Sequence, residues 1–379
     1  MYQANLIQIE RIKKMVNQKQ VIRLAAEERY SQELATLSKA DNDNNKPQGW
    51  LLSPKSVRQF ILGNDTLGIT RKFFGDDPLV DRAIVSLLGK QGLMLVGQPG
   101  TAKSMLSELL AAAISGDSNL TVQGTAGTSE DHIRYSWNYA LLLAEGPTER
   151  ALIGSPIYQG MLQGKIVRFE EITRCQPEIQ DMLVSIMSEK QMMIPEMGSN
   201  SVIKAKPGFN IIGTANLQDR GVHEMSAALK RRFNFETVNP ITDKNFEIEL
   251  IQRQLNQELG ELTSQIIIPI DVIELLVTTF QELRQGQTTE GAKLKTPDAV
   301  MSTAEAVNIA YASALDAHYL GNGTLTGEQI AKQLIGVVLK DNADDIKRIQ
   351  FYMDNVVRER AKKSDIWRSF YQVSKTFWK

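Results

Sequence analysis

The sequence predicts an α/β fold with a doubly wound parallel sheet, an all-α C-terminal domain and an N-terminal helical extension. Two observations predict the sheet: short apolar runs alternate with helical patterns between residues 80 and 240, and a glycine-rich loop joins the first run to its helix. A third observation predicts the helical C-terminal domain: strand-like runs fade after residue 243. Parallel strands covered on both faces are typically continuous apolar runs, as these segments are.

The N-terminal region, residues 1–49, stands apart from this pattern. Apolar residues spaced by three or four predict amphipathic helix over residues 1–37. Residues 38–49 (SKADNDNNKPQG) are polar and contain Asn, Asp, Pro and Gly, which predicts a linker. The helix could pack on its own domain or on a partner.

The loop follows a buried apolar run in residues 93–104 (LMLVGQPGTAKS). Gly97 and Gly100 let the backbone turn its N–H groups toward an anion. Lys103 supplies a charge for phosphates, and Ser104 offers a hydroxyl to Mg²⁺ at the start of a helix. The pattern is typical of a P-loop, although an ordinary strand-to-helix turn is the alternative.

Ala102 stands where the last glycine of the P-loop pattern is usual. Alanine fits there if its φ is helix-like, and its position at the helix entry predicts that φ. The candidate nucleotide-binding residues are Gly97, Pro99, Gly100, Thr101, Ala102, Lys103, Ser104 and Met105.

Further elements of residues 50–240 follow the same alternation. The predicted helices are 53–62, 81–88 and 177–189; the predicted strands are 119–123, 166–171, 209–216 and 233–238, with a hairpin over 191–207. The stretch 124–160 is long enough to contain small elements of its own.

Polar residues end two of these strands. Glu170 and Glu171 close one, and Asn216 follows another. At the carboxyl edge of a parallel sheet, Glu170 could hold Mg²⁺ together with Ser104, and Glu171 could polarise an attacking water that Asn216 orients. A solvated strand end and a simple cap are the alternatives.

Residues 241–379 are predicted to be helical. Asp271 with Glu274, and Ser302 with Glu305, have capping-box spacing ahead of apolar-periodic runs. The basic, aromatic-rich tail at 347–379 is predicted to pack on this domain, with nucleic-acid stacking as the lesser alternative.

These motifs resemble AAA+ ATPases, in particular the MoxR group of the clade with an insert before the Walker B strand. The similar segments are GQPGTAKS at 97–104, SPIYQGMLQGKIVRFEEITRCQPEIQDMLVSIMSEKQ at 155–191, AKPGFNIIGTAN at 205–216 and ALKRRFNF at 228–235. The resemblance implies a Walker A loop at 97–104, a Walker B pair at Glu170 and Glu171, and sensor 1 at Asn216. It also implies an insert at about 124–155 and a hairpin at about 191–207 that face the pore or client.

The resemblance further implies assembly and partners. Arg232 would be the arginine finger, with Arg231 as second candidate. A finger that reaches a neighbouring subunit requires a ring, so a homo-oligomer, and specifically a hexamer, is expected. MoxR-like ATPases commonly act with a von Willebrand factor A domain protein, which makes that partner class an expectation.

Two departures from the family pattern bear on catalysis. Glu170 occupies a position that is usually Asp and is one methylene longer. The sensor 2 arginine would fall on Asp298 or Ala304, neither of which is arginine. Both departures leave the rate of hydrolysis open.

Composition limits the alternatives. The chain has 379 residues, 42% of them hydrophobic, which is enough for two or three domains with a sizeable core. A net charge of -1 gives no argument for nucleic acid, and a single cysteine excludes an internal disulfide framework. We expect a cytoplasmic protein without membrane insertion.

The leading hypothesis is an ATP-hydrolysing ring, with ATP and Mg²⁺ as cofactors, that remodels or loads a protein partner. A nucleotide-gated scaffold with little hydrolysis and a DNA-acting ring motor are the alternatives.

Overall fold

A computed structural model describes residues 23–41, 45–198, 201–216, 221–298, 301–338 and 343–377. The chain divides into two compact units. The first contains the chain up to Val96 and then Lys103–Thr237; the second contains Gly97–Ala102 and the chain from Val238 onward. The domain limits at 49 and 240 stay predictions.

The first unit contains a five-stranded parallel sheet. In chain order the described strands of the unit are β1 (Gly92–Val96), β2 (Thr121–Gln123), β3 (Tyr135–Trp137), β4 (Leu152–Gly154), β5 (Ile166–Glu170), β6 (Gln191–Met193), β7 (Val202–Lys204), β8 (Asn210–Ala215) and β9 (Phe233–Thr237). The sheet has the order β2-β5-β8-β1-β9, and β3 with β4 and β6 with β7 form two antiparallel pairs. All residues of β1 and β8 are buried, as their apolar runs require.

Neighbouring strands bring three segments to one edge of the sheet. In the register of β8, Gly213 lies beside Phe169 of β5, and Ala215 lies beside Val96 of β1. Because parallel strands share their carboxyl ends, the segments after β5, β8 and β1 start next to one another.

Helices precede and follow the strands along the chain. The helices of this unit are α1 (Ala26–Arg29), α2 (Ser31–Ala40), α3 (Pro54–Leu62), α4 (Asp77–Leu88), α5 (Lys103–Ser115), α6 (Glu130–Ile133), α7 (Tyr139–Glu145), α8 (Pro156–Gln163), α9 (Pro177–Glu189) and α10 (Ala227–Lys230). The predicted bounds of α9 are confirmed, whereas α4 begins four residues earlier than predicted, with a proline in its first turn. The α/β fold with a parallel sheet is confirmed.

The N-terminal helices pack on the first unit. The ammonium of Lys72, whose side chain is 2% exposed, lies 2.5 Å from a carboxylate oxygen of Glu33 on α2. Glu108 of α5 accepts a hydrogen bond from the N–H of Ala26 at 3.1 Å. Helix α2 continues to Ala40, three residues into the predicted linker, and the predicted helix over residues 1–22 lies outside the described residues.

Small elements fill the stretch between β2 and α8. The hydroxyl of Tyr135 on β3 donates to Glu196, between β6 and β7, at 2.8 Å, and Arg134 donates to the carbonyl of Met193 at 2.6 Å. These bonds join the stretch to the β6–β7 hairpin. Helix α7 has no buried residue over its full length, and Leu143 on it is 89% exposed.

The second unit is helical. Its helices are α11 (Lys244–Leu259), α12 (Ile270–Gln285), α13 (Thr303–Tyr319), α14 (Gly327–Val338), α15 (Ala343–Tyr352), α16 (Arg358–Ala361) and α17 (Asp365–Phe377), with a π-helical turn at Met353–Val357. The predicted C-terminal helical domain is confirmed.

One of the two predicted capping boxes of this unit is confirmed. Ser302 and Glu305 cap α13 reciprocally. The box at Asp271 is wrong, because α12 already begins at Ile270, and Glu274 instead accepts a hydrogen bond from Lys244 at 2.6 Å.

The aromatic tail packs into the core of the second unit, as predicted. Tyr352 and Phe370 are 0% exposed, and Tyr371 is also buried. These three rings are not available to stack on bases, whereas Phe351 of the same tail is 54% exposed. Across the described residues, no helix is long and apolar enough to cross a membrane.

Candidate functional site

The loop between β1 and α5 contains two left-handed residues. Gly100 has φ +73° and Ala102 has φ +67°. The prediction of a helix-like φ at Ala102 is therefore wrong, and an alanine in this conformation costs about 1–2 kcal/mol. Left-handed residues in such loops turn successive N–H groups toward one point, an arrangement that binds anions. The hydroxyl of Thr101 donates to the carbonyl of Gln98 at 2.9 Å and stiffens the turn.

Within the second unit, to which this loop belongs, Gly100 lies against the start of α13. A Cβ placed on Gly100 would lie 2.4 Å from Oγ of Ser302 and 3.4 Å from Cβ of Ala304, so a side chain there does not fit. Ala304, one candidate position for sensor 2, thus lies beside the loop. The other, Asp298, pairs with Arg348 at 2.7 Å.

Helix α5 opens with the residues predicted to contact phosphate and metal. Lys103 is only 6% exposed, and burial lowers the pKa of its ammonium, although the carboxylates of Glu171 and Glu170 oppose the shift. A nearby anion would favour the charged form. Ser104 is exposed, and Met105 is half-buried.

Glu170, the last residue of β5, is buried and accepts four hydrogen bonds. Ser104 Oγ (2.6 Å) and Thr214 Oγ1 (2.7 Å) donate to Oε2. Ser107 Oγ (2.7 Å) and Arg168 Nη2 (2.8 Å) donate to Oε1. Burial alone would raise the pKa of Glu170, but these hydrogen bonds and the charge of Arg168 outweigh it and hold the pKa below its usual value.

Glu171 follows in a left-handed conformation, with φ +54° and ψ +44°. Its N–H donates to Thr214 Oγ1 at 3.0 Å. Its Oε2 accepts no hydrogen bond from the part of the chain that the structure describes, and it lies 3.6 Å from Nε of Arg174. Strained residues of this kind concentrate at functional sites.

Asn216 lies at the same edge of the sheet. It follows β8, which lies between β5 and β1, and it is 4% exposed. The structure therefore brings together the carboxyl end of β5, Asn216 and the first turn of α5. All three belong to the first unit.

The two candidate finger residues belong to the same unit and directly follow α10. Arg232 donates to Ser188 Oγ at 3.0 Å and to the carbonyl of Ala228 at 2.7 Å. Arg231 is exposed. Arg232 is half-buried, and the groups to which it donates belong to α9 and α10.

The residues present fit Mg²⁺ bound with a nucleotide. Ser104 and Glu170 supply the hard oxygen ligands that Mg²⁺ prefers, and Mg²⁺ usually takes only one or two protein ligands beside phosphate and water. The described part of the chain has no group of three or more His, Cys, Asp or Glu that could hold a metal by itself. The donor set therefore favours a metal shared with phosphates.

Sequence reasoning missed three residues of the site: Ser107, Arg168 and Thr214. Each contacts the carboxylate of Glu170 directly. A signal existed, because Arg168 and Thr214 are polar residues inside otherwise apolar buried strands, and such residues need partners. Which partner they find depends on strand order, which the sequence pattern does not specify.

A strand, a glycine loop and a helix beside an acidic strand end in a parallel sheet are typical of P-loop nucleotide-binding proteins. The family matches assign the chain to the AAA+ ATPases within this class. Residues 92–233 match the AAA domain (dynein-related subfamily), and residues 245–377 match the YehL-like AAA+ ATPase C-terminal domain. The chain belongs to the family of YehL-like AAA+ ATPases.

The chain is also similar to individual proteins. The chain is 48% identical to YehL of Escherichia coli K12 over 345 residues, which cover 91% of this chain and 94% of YehL. It is 29% identical to SH1500 of Staphylococcus haemolyticus over 181 residues, covering 47% and 66% of the two chains. Among solved structures, NtrX of Brucella abortus in complex with ADP is 14% identical, with a TM-score of 0.46 over 80% of this chain and 64% of NtrX.

Proposed function

We propose that this AAA+ ATPase is a MoxR-like protein that binds ATP with Mg²⁺, hydrolyses it and uses the cycle to remodel or load a protein partner. The observation that carries the proposal is the bond between Ser104, at the start of the P-loop helix, and Glu170, at the end of β5. Glu171 directly follows. A metal position and a candidate base thus meet at one sheet edge.

Each residue has a role in this proposal. The loop from Gly97 to Ala102 and Lys103 bind the phosphates, and Ser104 and Glu170 hold Mg²⁺, which neutralises phosphate charge when bound. Glu171 takes a proton from the attacking water. Its Oε2 is buried and accepts no hydrogen bond among the described residues, so its lone pairs stay unused until the catalytic water enters the site.

Assembly into a ring, expected to be hexameric, would complete the site. Arg231 and Arg232 directly follow α10, and Arg231 is exposed, which suits a finger that acts on a neighbouring subunit's nucleotide. Guanidinium groups stabilise the charge that develops on a transferring phosphoryl group.

The partner is proposed to be a von Willebrand factor A domain protein or another protein client. Helix α7 supports a protein contact, because Tyr139 and Leu143 on it are 71% and 89% exposed. Large apolar side chains exposed together are typical of interaction sites.

A second candidate is a nucleotide-gated scaffold with little hydrolysis. It is favoured by Ala304, which lies beside the loop at Gly100 and carries no charge. Steady-state phosphate release without a partner separates the candidates: brisk turnover would exclude the scaffold.

The test compares three variants with the wild type. Glu171→Gln should bind ATP in the presence of Mg²⁺ but lose at least about 100-fold in turnover, the scale of general-base catalysis. Lys103→Ala should lose ATP binding, and Arg232→Ala should lose turnover while keeping binding. Glu178→Gln, an exposed acid in the first turn of α9, is the matched control. Normal phosphate release by Glu171→Gln would refute the assignment.

A further inference from the structure

Arg168 is a charged residue inside a buried strand, and its guanidinium reaches four groups. It lies two residues before Glu170, so both side chains lie on the same face of β5. Nε donates to Ser107 Oγ (2.9 Å), and Nη1 donates to the carbonyl of Ser118 (3.1 Å). Nη2 donates to the carbonyl of Ser104 (3.1 Å) and to Oε1 of Glu170 (2.8 Å).

The two carboxylate oxygens of Glu170 have different hydrogen-bond partners. Oε1 is held by Arg168 and Ser107, and Oε2 is held by Ser104 and Thr214. Because the proton of the Ser104 hydroxyl is directed to Oε2, the lone pairs of its oxygen are left for a cation. An aspartate is shorter by one carbon–carbon bond, about 1.5 Å, and could not keep both sets of bonds.

We propose that Arg168, acting with Ser107, is a positioning residue that fixes Oε1 of Glu170 so that Oε2 stays on Ser104 and the pair is ordered for Mg²⁺. This role rests on the ATP site proposed above. It accounts for glutamate where the family pattern has aspartate, because the longer side chain spans from the Arg168 side of the pocket to Ser104. Lysine cannot replace this arginine, since one ammonium cannot reproduce a planar fork that bonds four groups.

The competing interpretation is that Arg168 only ties α5 to β5. A structural tie would affect the whole phosphate site and would lower nucleotide affinity equally with and without metal. A positioning role acts through the metal alone. The distinguishing measurement is therefore the Mg²⁺ dependence of nucleotide binding, which needs no turnover.

The experiment uses full-length protein carrying Glu171→Gln, so that ATP is not consumed, and a fluorescent methylanthraniloyl ATP as probe. Binding is titrated in EDTA and at increasing Mg²⁺ for the parent, Arg168→Met and Arg168→Lys. The matched control is Lys165→Met, which removes one positive charge just before β5 and breaks a pair with Asp117.

We expect Arg168→Met to raise the Mg²⁺ concentration for half-maximal binding by about tenfold, equivalent to about 1.4 kcal/mol. Affinity in EDTA should change by less than about twofold, since Lys103 and the loop bind phosphate directly. Arg168→Lys should not restore the Mg²⁺ midpoint, and Lys165→Met should match the parent.

An unchanged Mg²⁺ midpoint in Arg168→Met, or equal losses with and without Mg²⁺, would overturn the positioning role. If Arg168→Met does not fold, Ser107→Ala removes the other donor to Oε1 and should raise the Mg²⁺ concentration for half-maximal binding about threefold, as expected for a weaker hydrogen bond. An unchanged Mg²⁺ midpoint in Ser107→Ala would also overturn the positioning role. A parent that binds no probe under any condition would instead refute the ATP site itself.

Discussion

The left-handed backbone of Ala102 predicts that Ala102→Gly stabilises the protein. With φ +67°, Ala102 carries a strain of about 1–2 kcal/mol that glycine does not have. Against this, glycine gains conformational entropy in the unfolded chain worth about 0.4–1 kcal/mol. The balance is a stabilisation of about 0.5–1 kcal/mol, or a rise in melting temperature of about 1–4 °C.

A mirror substitution provides the control. Gly68 has φ +66°, and nothing lies within 4 Å of a Cβ placed on it. Gly68→Ala thus introduces the same strain without a clash and should destabilise by about 0.5–1 kcal/mol.

Differential scanning calorimetry is the suitable assay, because it reports the melting temperature directly and because Ala102 and Gly68 belong to different units, whose transitions it would register individually if they separate. Opposite shifts of similar size are expected. A lower melting temperature for Ala102→Gly would show that the loop is not left-handed at this residue and would refute the reasoning.

Two further predictions concern buried charges. Glu33→Gln should lower the free energy of unfolding measured in urea by about 3 kcal/mol, because it leaves the ammonium of Lys72 buried without its carboxylate partner. Glu28→Gln, at an exposed position, is the control. Equal stability of the two variants would contradict this prediction. Burial tends to raise the pKa of Glu282, but Arg360 and neighbouring donors lower it overall. Ionised Glu282 therefore stabilises the folded protein above its unfolded pKa of about 4.3, and this contribution is lost as pH falls through the folded pKa. Glu282→Gln should therefore flatten the loss of stability below about pH 4.5, and an unchanged pH profile would count against it.

Local patterns were enough to predict the elements that build the site. The apolar run of β1, the glycines after it and the acidic end of β5 are each properties of a short segment, and the structure has strands where these runs lie. The helix predicted over 177–189 is likewise present as α9, with a proline in its first turn.

The errors arose where distant residues decide the outcome. The predicted capping role of Asp271 was wrong because α12 begins one residue earlier and because Lys244, from another helix, donates a hydrogen bond to Glu274. The contact of Arg168 with Glu170, two residues on, follows strand alternation. Its other three partners, Ser104, Ser107 and Ser118, come from segments some 50 to 64 residues away along the chain. No spacing rule connects such residues.

Backbone strain in the described chain is not spread evenly. Among the described residues other than glycine, three have positive φ: Ala102, Glu171 and Lys190. Ala102 directly precedes the P-loop lysine, and Glu171 directly follows the buried carboxylate of Glu170. Each costs about 1–2 kcal/mol. It follows that relieving strain at Ala102 should add stability without a gain in turnover, whereas loosening Glu170 should lower metal binding first, because the bonds that hold this carboxylate are also those that order Ser104 for the metal.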